Sequence, residues 1–214
     1  MNAVKSLLSI AYFPPISYFL CLSMGKHHLV EAHENYIKQS YRNRMVIFGA
    51  NGPMSLTVPV VKKSNSKSLI NEICIGYHED WQAQHWKSIC SAYQSSPYFE
   101  YYKDDLETFF TKKYITLWEL NISITNYLIG IMGLDVKVYY SEAYMREPVE
   151  GVVDRRNEIH PKKEDGLEVY ILEYWQVFAD QHGFKSNLSI LDLLCNEGPN
   201  AENFLKRCIE KMSQ

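Results

Sequence analysis

Tyr36, Lys38, Tyr41, Arg42, Asn43 and Arg44 crowd one short segment just ahead of an apolar run, Met45 to Phe48. A planar guanidinium pair at that spacing can grip a carboxylate or phosphate bidentately. Arg44 directly precedes the apolar run and is held more firmly than Arg42. The alternative is a solvated loop, since charged loop residues commonly face water. A second candidate is His85, which shares one helical face with Trp81, Ser88 and Ala92. An imidazole there can act as a general base near neutral pH, or be a satisfied, half-buried structural group. Tyr12 and Tyr18 flank the Pro14-Pro15 pair and can line a pocket or simply pack. Asp192 lies three residues after Ser189, which fits a capping-box variant at a helix start and gives the carboxylate a structural task that competes with a catalytic one.

The elements that must position these groups follow from periodicity. Residues 6–13 suit a buried strand, Ile16 to Met24 a short helix ended by Gly25, and His28 to Ala32 a second strand. Glu34 to Arg44 reads as loop. Met45 to Phe48 and Ser55 to Val61 flank the turn signal Ala50-Asn51-Gly52-Pro53 and predict a hairpin, with Glu72 to Ile75 continuing the sheet. Helices are predicted over Trp81 to Tyr93, from Pro97 to about Phe110, and over Leu117 to Met132, with a strand over Val136 to Tyr140. Residues 142–168 carry five basic and eight acidic side chains with Pro148, Gly151, Pro161 and Gly166, a polar excursion that is either a lid or a long loop. Val169 to Phe178 is assigned as strand from its Tyr, Ile, Trp, Val and Phe content. A short apolar helix from Ser189, stopped near Gly198, and an amphipathic helix from Ala201 to Met212 complete the chain. These elements predict one α/β domain over 1–214, with a mixed β-sheet, flanking helices and a C-terminal helical segment.

Composition narrows the function classes. A net charge of −3 with no basic stripe argues against nucleic acid. Five cysteines without Cys-x-x-Cys spacing read as free thiols in a reducing compartment, and neither a zinc site nor any other metal site is expected. Lys5 and the following apolar run share features with a signal peptide, but the proline pair, polar interruptions and lack of a small-x-small cleavage site favour a cytoplasmic protein without a membrane span. Gly-x-x-x-x-Gly-Lys, Gly-x-Gly-x-x-Gly and Gly-x-Ser-x-Gly motifs are all missing, so no cofactor is expected and the common nucleotide-binding and hydrolase mechanisms lose weight.

Five segments in order, YFPPISYF (12–19), RNRMVIFGANGPMSLTVPV (42–60), WQAQHWKSICSAYQSSPYF (81–99), LWELN (117–121) and GFKSNLSILDLLCNEGP (183–199), together resemble the WbqC-like protein family. Where that family often has Gln-Pro two residues before the matching tyrosine, this chain has Ser9-Ile10, so no role of the glutamine carries over. The positions of Arg42, Asn43, Arg44, Trp81, His85, Asn121 and Asp192 match, without an established catalytic role. The resemblance implies a part in surface-polysaccharide (O-antigen) assembly, with transfer of glycine or another acyl group to an amino sugar as the suggested reaction. Two functions stay open. One is a transferase on a nucleotide-linked or lipid-linked sugar, with Arg44 holding an anionic group, His85 and Asp192 catalytic, Tyr12, Tyr41, Arg42, Asn43, Trp81 and Asn121 lining the site, and the excursion closing over it. The other is a non-enzymatic binding or assembly protein of the same pathway. The first requires Arg44, His85 and Asp192 to share one cleft; oligomeric state is not fixed by either.

Overall fold

The computed structural model describes residues 4–61, 68–163 and 166–213. Four parallel strands form the main sheet: β1 (Ser6–Ser9), β2 (His27–Glu31), and two later ones described below. β1 and β2 are joined by α1 (Ile16–Ser23), a helix buried on nearly every side, as its apolar sequence requires. The hairpin expected around Gly52 forms from β3 (Arg44–Gly49) and β4 (Gly52–Thr57), with Gly52 at φ +98° supplying the turn conformation that side chains resist. A further pair, β5 (Val60–Val61) and β6 (Cys74–Ile75), is also antiparallel. Both kinds of pairing anticipated from the sequence are present, but they are segregated: the antiparallel pairs make two small sheets of their own beside the parallel one.

Three helices follow, α2 (Trp81–Tyr93), α3 (Phe99–Thr111) and α4 (Leu117–Ile131). Thr116 and Glu119 close a full capping box at the start of α4, and Gly133 at φ +67° follows its end. β7 (Lys137–Tyr140) then joins β2, and β8 (Val153–Asp154) crosses to the opposite edge beside β1, giving the order β7-β2-β1-β8. The polar excursion therefore contributes a strand and is anchored in the sheet.

After a four-residue helix, α5 (Ala179–His182), the chain ends in α6 (Ile190–Glu197) and α7 (Ala201–Met212). α6 is packed among α1, α3 and β3, in the middle of the core. The strand predicted over Val169 to Phe178 does not form. Glu168–Tyr170 make a single 3-10 turn and the rest runs without a ladder partner. Its polar groups bond elsewhere: Tyr174 and Gln176 turn inward to Asp192, and Gln176 also exchanges bonds with the Lys185 backbone. β-propensity had no sheet edge to act on.

The turn between β1 and α1 is tightly held. Phe13 sits at φ +39°, strained for a non-glycine residue, and stacks on Phe110. Ser189 Oγ donates to the Phe13 carbonyl (2.9 Å), the Ile190 amide to Pro14 (2.8 Å), and the Ser189 amide to Val46 (2.7 Å). The segment just before α6 thus clamps the turn that leaves the central strand. No helix among the described residues is long and apolar enough to cross a membrane. The N-terminal apolar stretch is instead the central strand and first helix of the core.

Candidate functional site

Because the four main strands are parallel, Ser9, Glu31, Ser141 and Asp154 come out at one edge of the sheet, at or just past the carboxyl ends. The chain leaves β1 toward β2 on one side, while β8 lies on the other. The gap between β1 and β8 is therefore a topological switch point, where α/β folds bind ligands. A crevice opens there, lined by Ser9, Ala11, Tyr41, Arg42, Arg155 and Arg156 among others. It is narrowed to about 10 Å³, room for roughly one water.

Its floor is a buried ionic network. Glu34 accepts from Arg42 Nε (2.8 Å) and Nη2 (2.5 Å), a bidentate pair, and Ser9 Oγ lies 3.0 Å from Glu34 Oε2 while accepting from Arg42 Nη2 at 2.7 Å. Arg156 binds Asp154 through Nε and Nη2 (2.6 Å at the shortest), the Met145 carbonyl (2.6 Å) and Glu31 (3.4 Å). Glu31 is fully buried and also accepts from Ser141 Oγ and the Met145 amide. Burial alone would raise the Asp154 pKa, but the Arg156 bonds win and hold it below the usual carboxylate range. The crevice arginines are charge-balanced, so they offer directed N–H donors more than net charge.

Net positive charge lies next door. His160, one residue beyond Ile159 of the crevice lining, has its pKa lowered first by burial and then by Lys163, Arg42, Lys162 and Arg44. Lys162 donates to Gln39 Oε1 (2.5 Å) from an exposed position, and Lys163 donates to the Asn157 carbonyl (2.9 Å). Arg44 makes no ion pair among the described residues, and its buried Nε has no hydrogen-bond partner.

The sequence candidates separate into three groups. Tyr41 and Arg42 line the crevice, and Arg44 stands among the neighbouring cations. Asn43 and Asn121 hold that loop in place: Asn43 Nδ2 donates to the Val58 carbonyl (2.9 Å) and Asn121 Nδ2 to that of Arg42 (2.7 Å). The remaining candidates lie in the core. His85 Nδ1 is 3.0 Å from Tyr12 Oη, its ring meets Trp81 edge-on, and burial brings its pKa down to about 4. Asp192 accepts from Tyr174 Oη (2.6 Å) and Gln176 Nε2 (2.9 Å), and burial pushes its pKa up to about 6. Neither lines the crevice, so Arg44, His85 and Asp192 do not share the cleft required of them. Nor does Asp192 complete a capping box: the Ser189 hydroxyl caps the Leu191 amide, while the Asp192 carboxylate is taken by Tyr174 and Gln176. Ser9, Glu31, Glu34, Arg155, Arg156 and His160 were not singled out from sequence. The available signal was the placement of Ser9, Glu31 and Glu34 at the ends of two predicted neighbouring strands. Among the described residues no three His, Cys, Asp or Glu side chains form a metal-binding group.

The chain matches the WbqC-like protein family over residues 11–162. It belongs to that family. The matched span contains Arg42, Arg44, Arg155, Arg156 and His160, whereas Ser9 and the 183–199 segment lie outside it. The chain is also 25% identical to an uncharacterized protein, Rv1507c, of Mycobacterium tuberculosis (strain ATCC 25618 / H37Rv), over 92% of this chain and 95% of that one. No solved structure matches it.

Proposed function

We propose that this WbqC-like protein is a small transferase that binds a sugar-like substrate in the crevice between β1 and β8 and passes glycine or another acyl group to its amine, in surface-polysaccharide synthesis. The observation that carries this reading is the arginine-lined crevice at the switch point, with Ser9 and two arginine-carboxylate clusters fixed on its floor. Rigid, pre-paired arginines present N–H donors to hydroxyl and carbonyl oxygens without the reorganisation a free side chain would need.

In such a transfer the amine nitrogen attacks the acyl carbonyl, forming the N–C bond. The proton it loses must pass to a base as the bond to the leaving group breaks. His160 suits that task, because its lowered pKa leaves it neutral at pH 7 and it lies beside Arg42 at the crevice mouth. His85, locked against Tyr12, has no comparable access.

A thermal-shift screen against nucleotide sugars, amino acids and acyl carriers tests the binding, since a ligand of the native state raises its melting temperature. A hit is expected in the sugar-containing class, with its shift lost in Arg155→Gln, a change on the crevice wall outside the buried pairs. Hits would then be incubated in pairs and read by mass spectrometry. Product from the wild type and none from His160→Asn is the expected result; binding that ignores Arg155→Gln would remove the crevice from consideration.

A further inference from the structure

Arg44, Lys162 and Lys163 are cations in excess. The carboxylates near them among the described residues are already engaged, Glu34 with Arg42 and Glu158 with Arg155. All three influence His160, as does Arg42 of the crevice, so they are grouped around the outer end of the same site. Holding like charges together without counter-charge costs free energy in the empty protein, and a bound anion removes that cost. The orphaned Arg44 Nε is an independent sign. A buried guanidinium N–H with no acceptor forfeits the bond it would make in water, on the order of 1–3 kcal/mol. An oxygen delivered from outside would supply the acceptor.

We infer that Arg44, Lys162 and Lys163 form a subsite for a diphosphate group, adjoining the crevice so that the sugar-like part of one substrate lies in the crevice and its diphosphate lies on these cations. The inference rests on the crevice reading for the position of the sugar, but not for the existence of the subsite. Three surplus cations match the two to three negative charges of a diphosphate better than the single charge of a carboxylate. Guanidinium and ammonium groups together suit phosphate oxygens, one as a fork and the other as a point charge. The Lys162–Gln39 bond ties the end of the excursion to the loop that carries Arg42 and Arg44, which brings the cations from two distant stretches of chain to one place.

A diphosphate in this position also acts on His160. Unoccupied, the subsite surrounds the imidazole with positive charge; occupied, it restores a neutral field and returns the ring toward ordinary basicity, near the pH where general bases work best.

Inorganic pyrophosphate is the probe that isolates the subsite from the sugar. Calorimetry on the full chain should show saturable pyrophosphate binding, weakened about tenfold or more in Arg44→Gln and in the exposed double variant Lys162→Gln/Lys163→Gln, and unchanged in Lys87→Gln, a charge control on the outer face of α2. The His160 resonances in NMR titrations should move to a higher pKa when pyrophosphate is present. Absence of binding, or equal affinity in the Lys162/Lys163 double variant, overturns the inference. Uridine diphosphate and farnesyl diphosphate as further arms distinguish a nucleoside carrier from a lipid carrier, because the carrier that belongs to the site binds more tightly than pyrophosphate itself. Pyrophosphate indifferent to Lys162 and Lys163, alongside a sugar ligand lost in Arg155→Gln, sinks the subsite and leaves the crevice. The converse pattern sinks the crevice alone.

Discussion

His85 and Asp192 are buried titratable groups shifted in opposite senses, and their pH effects on stability oppose one another. Unfolded, His85 takes a proton near its ordinary 6.5, but folded it resists until about 4. Over that window the unfolded chain binds the extra proton, so stability falls as pH falls. Asp192 behaves inversely: folded, it keeps its proton up to about 6, whereas the unfolded chain releases it near 3.8. Its contribution is present below 3.8 and is lost as pH rises through 6, so between these limits it favours folding as pH falls. From pH 4 to 6 the two slopes cancel in part, each at most about 1.4 kcal/mol per pH unit. Asp192→Asn should therefore make melting fall more steeply on acidification through this range, and His85→Gln, which keeps an acceptor for Tyr12, should make it shallower. Parallel profiles for wild type and both variants would show that neither group is shifted as its burial demands. At this scale the sequence disclosed the residue types but not their depth. His85 and Arg44 looked equivalent as candidates until tertiary packing sealed one against Tyr12 and Trp81 and left the other beside His160.

The helices were legible because their information is local. Trp81 to Tyr93 shows its own period, and its ends agree with the structure residue for residue. β8 was not legible, since two residues of strand inside a polar excursion carry no pattern, and their pairing partner lies about 147 positions away, at Ser6 and Leu7. Residues 169–178 erred in the opposite direction, with strand-like composition but side chains committed to α6 and α7. The joint between those two helices supplies a prediction of its own. Gly198 has φ +54°, and a Cβ built on it would fall 2.4 Å from Tyr98 Cγ, at the entry to α3. Gly198→Ala must both adopt a left-handed conformation and displace a ring near its root, so it should destabilise by more than the ~1 kcal/mol that the conformation alone costs. Thermal melts of Gly198→Ala and of Gly198→Ala/Tyr98→Ala divide the two contributions, because the double variant should recover the steric part only. Full recovery would mean that the backbone conformation there is free.

Over the whole molecule, the core and the excursion are unequal in strength. β1 and β2 share four paired positions in a buried setting, whereas β8 is held to β1 through the Val153 and Arg155 amides, which donate to the Lys5 and Leu7 carbonyls. Arg156 adds its buried bonds to Glu31 and Asp154, yet those ions regain water when the excursion lifts, which lowers the cost of opening relative to dry apolar contacts. A crevice of about 10 Å³ cannot admit a sugar as it stands, so lifting the excursion is also the route by which the site fills. Native-state hydrogen exchange should therefore show Val153 and Arg155 exchanging through a local opening that is almost insensitive to urea, while the β1 and β2 amides exchange through global unfolding with the full urea dependence. Glu31→Gln, by weakening the grip on Arg156, should accelerate exchange at Val153 and Arg155 by more than it accelerates the core. Bound pyrophosphate, drawing Lys162 and Lys163 toward Arg44, should slow it. If Val153 exchanged with the same urea dependence as β1, the excursion would be part of the single cooperative unit. The crevice would then have to fill by side-chain movement of Tyr41 and Arg155 alone.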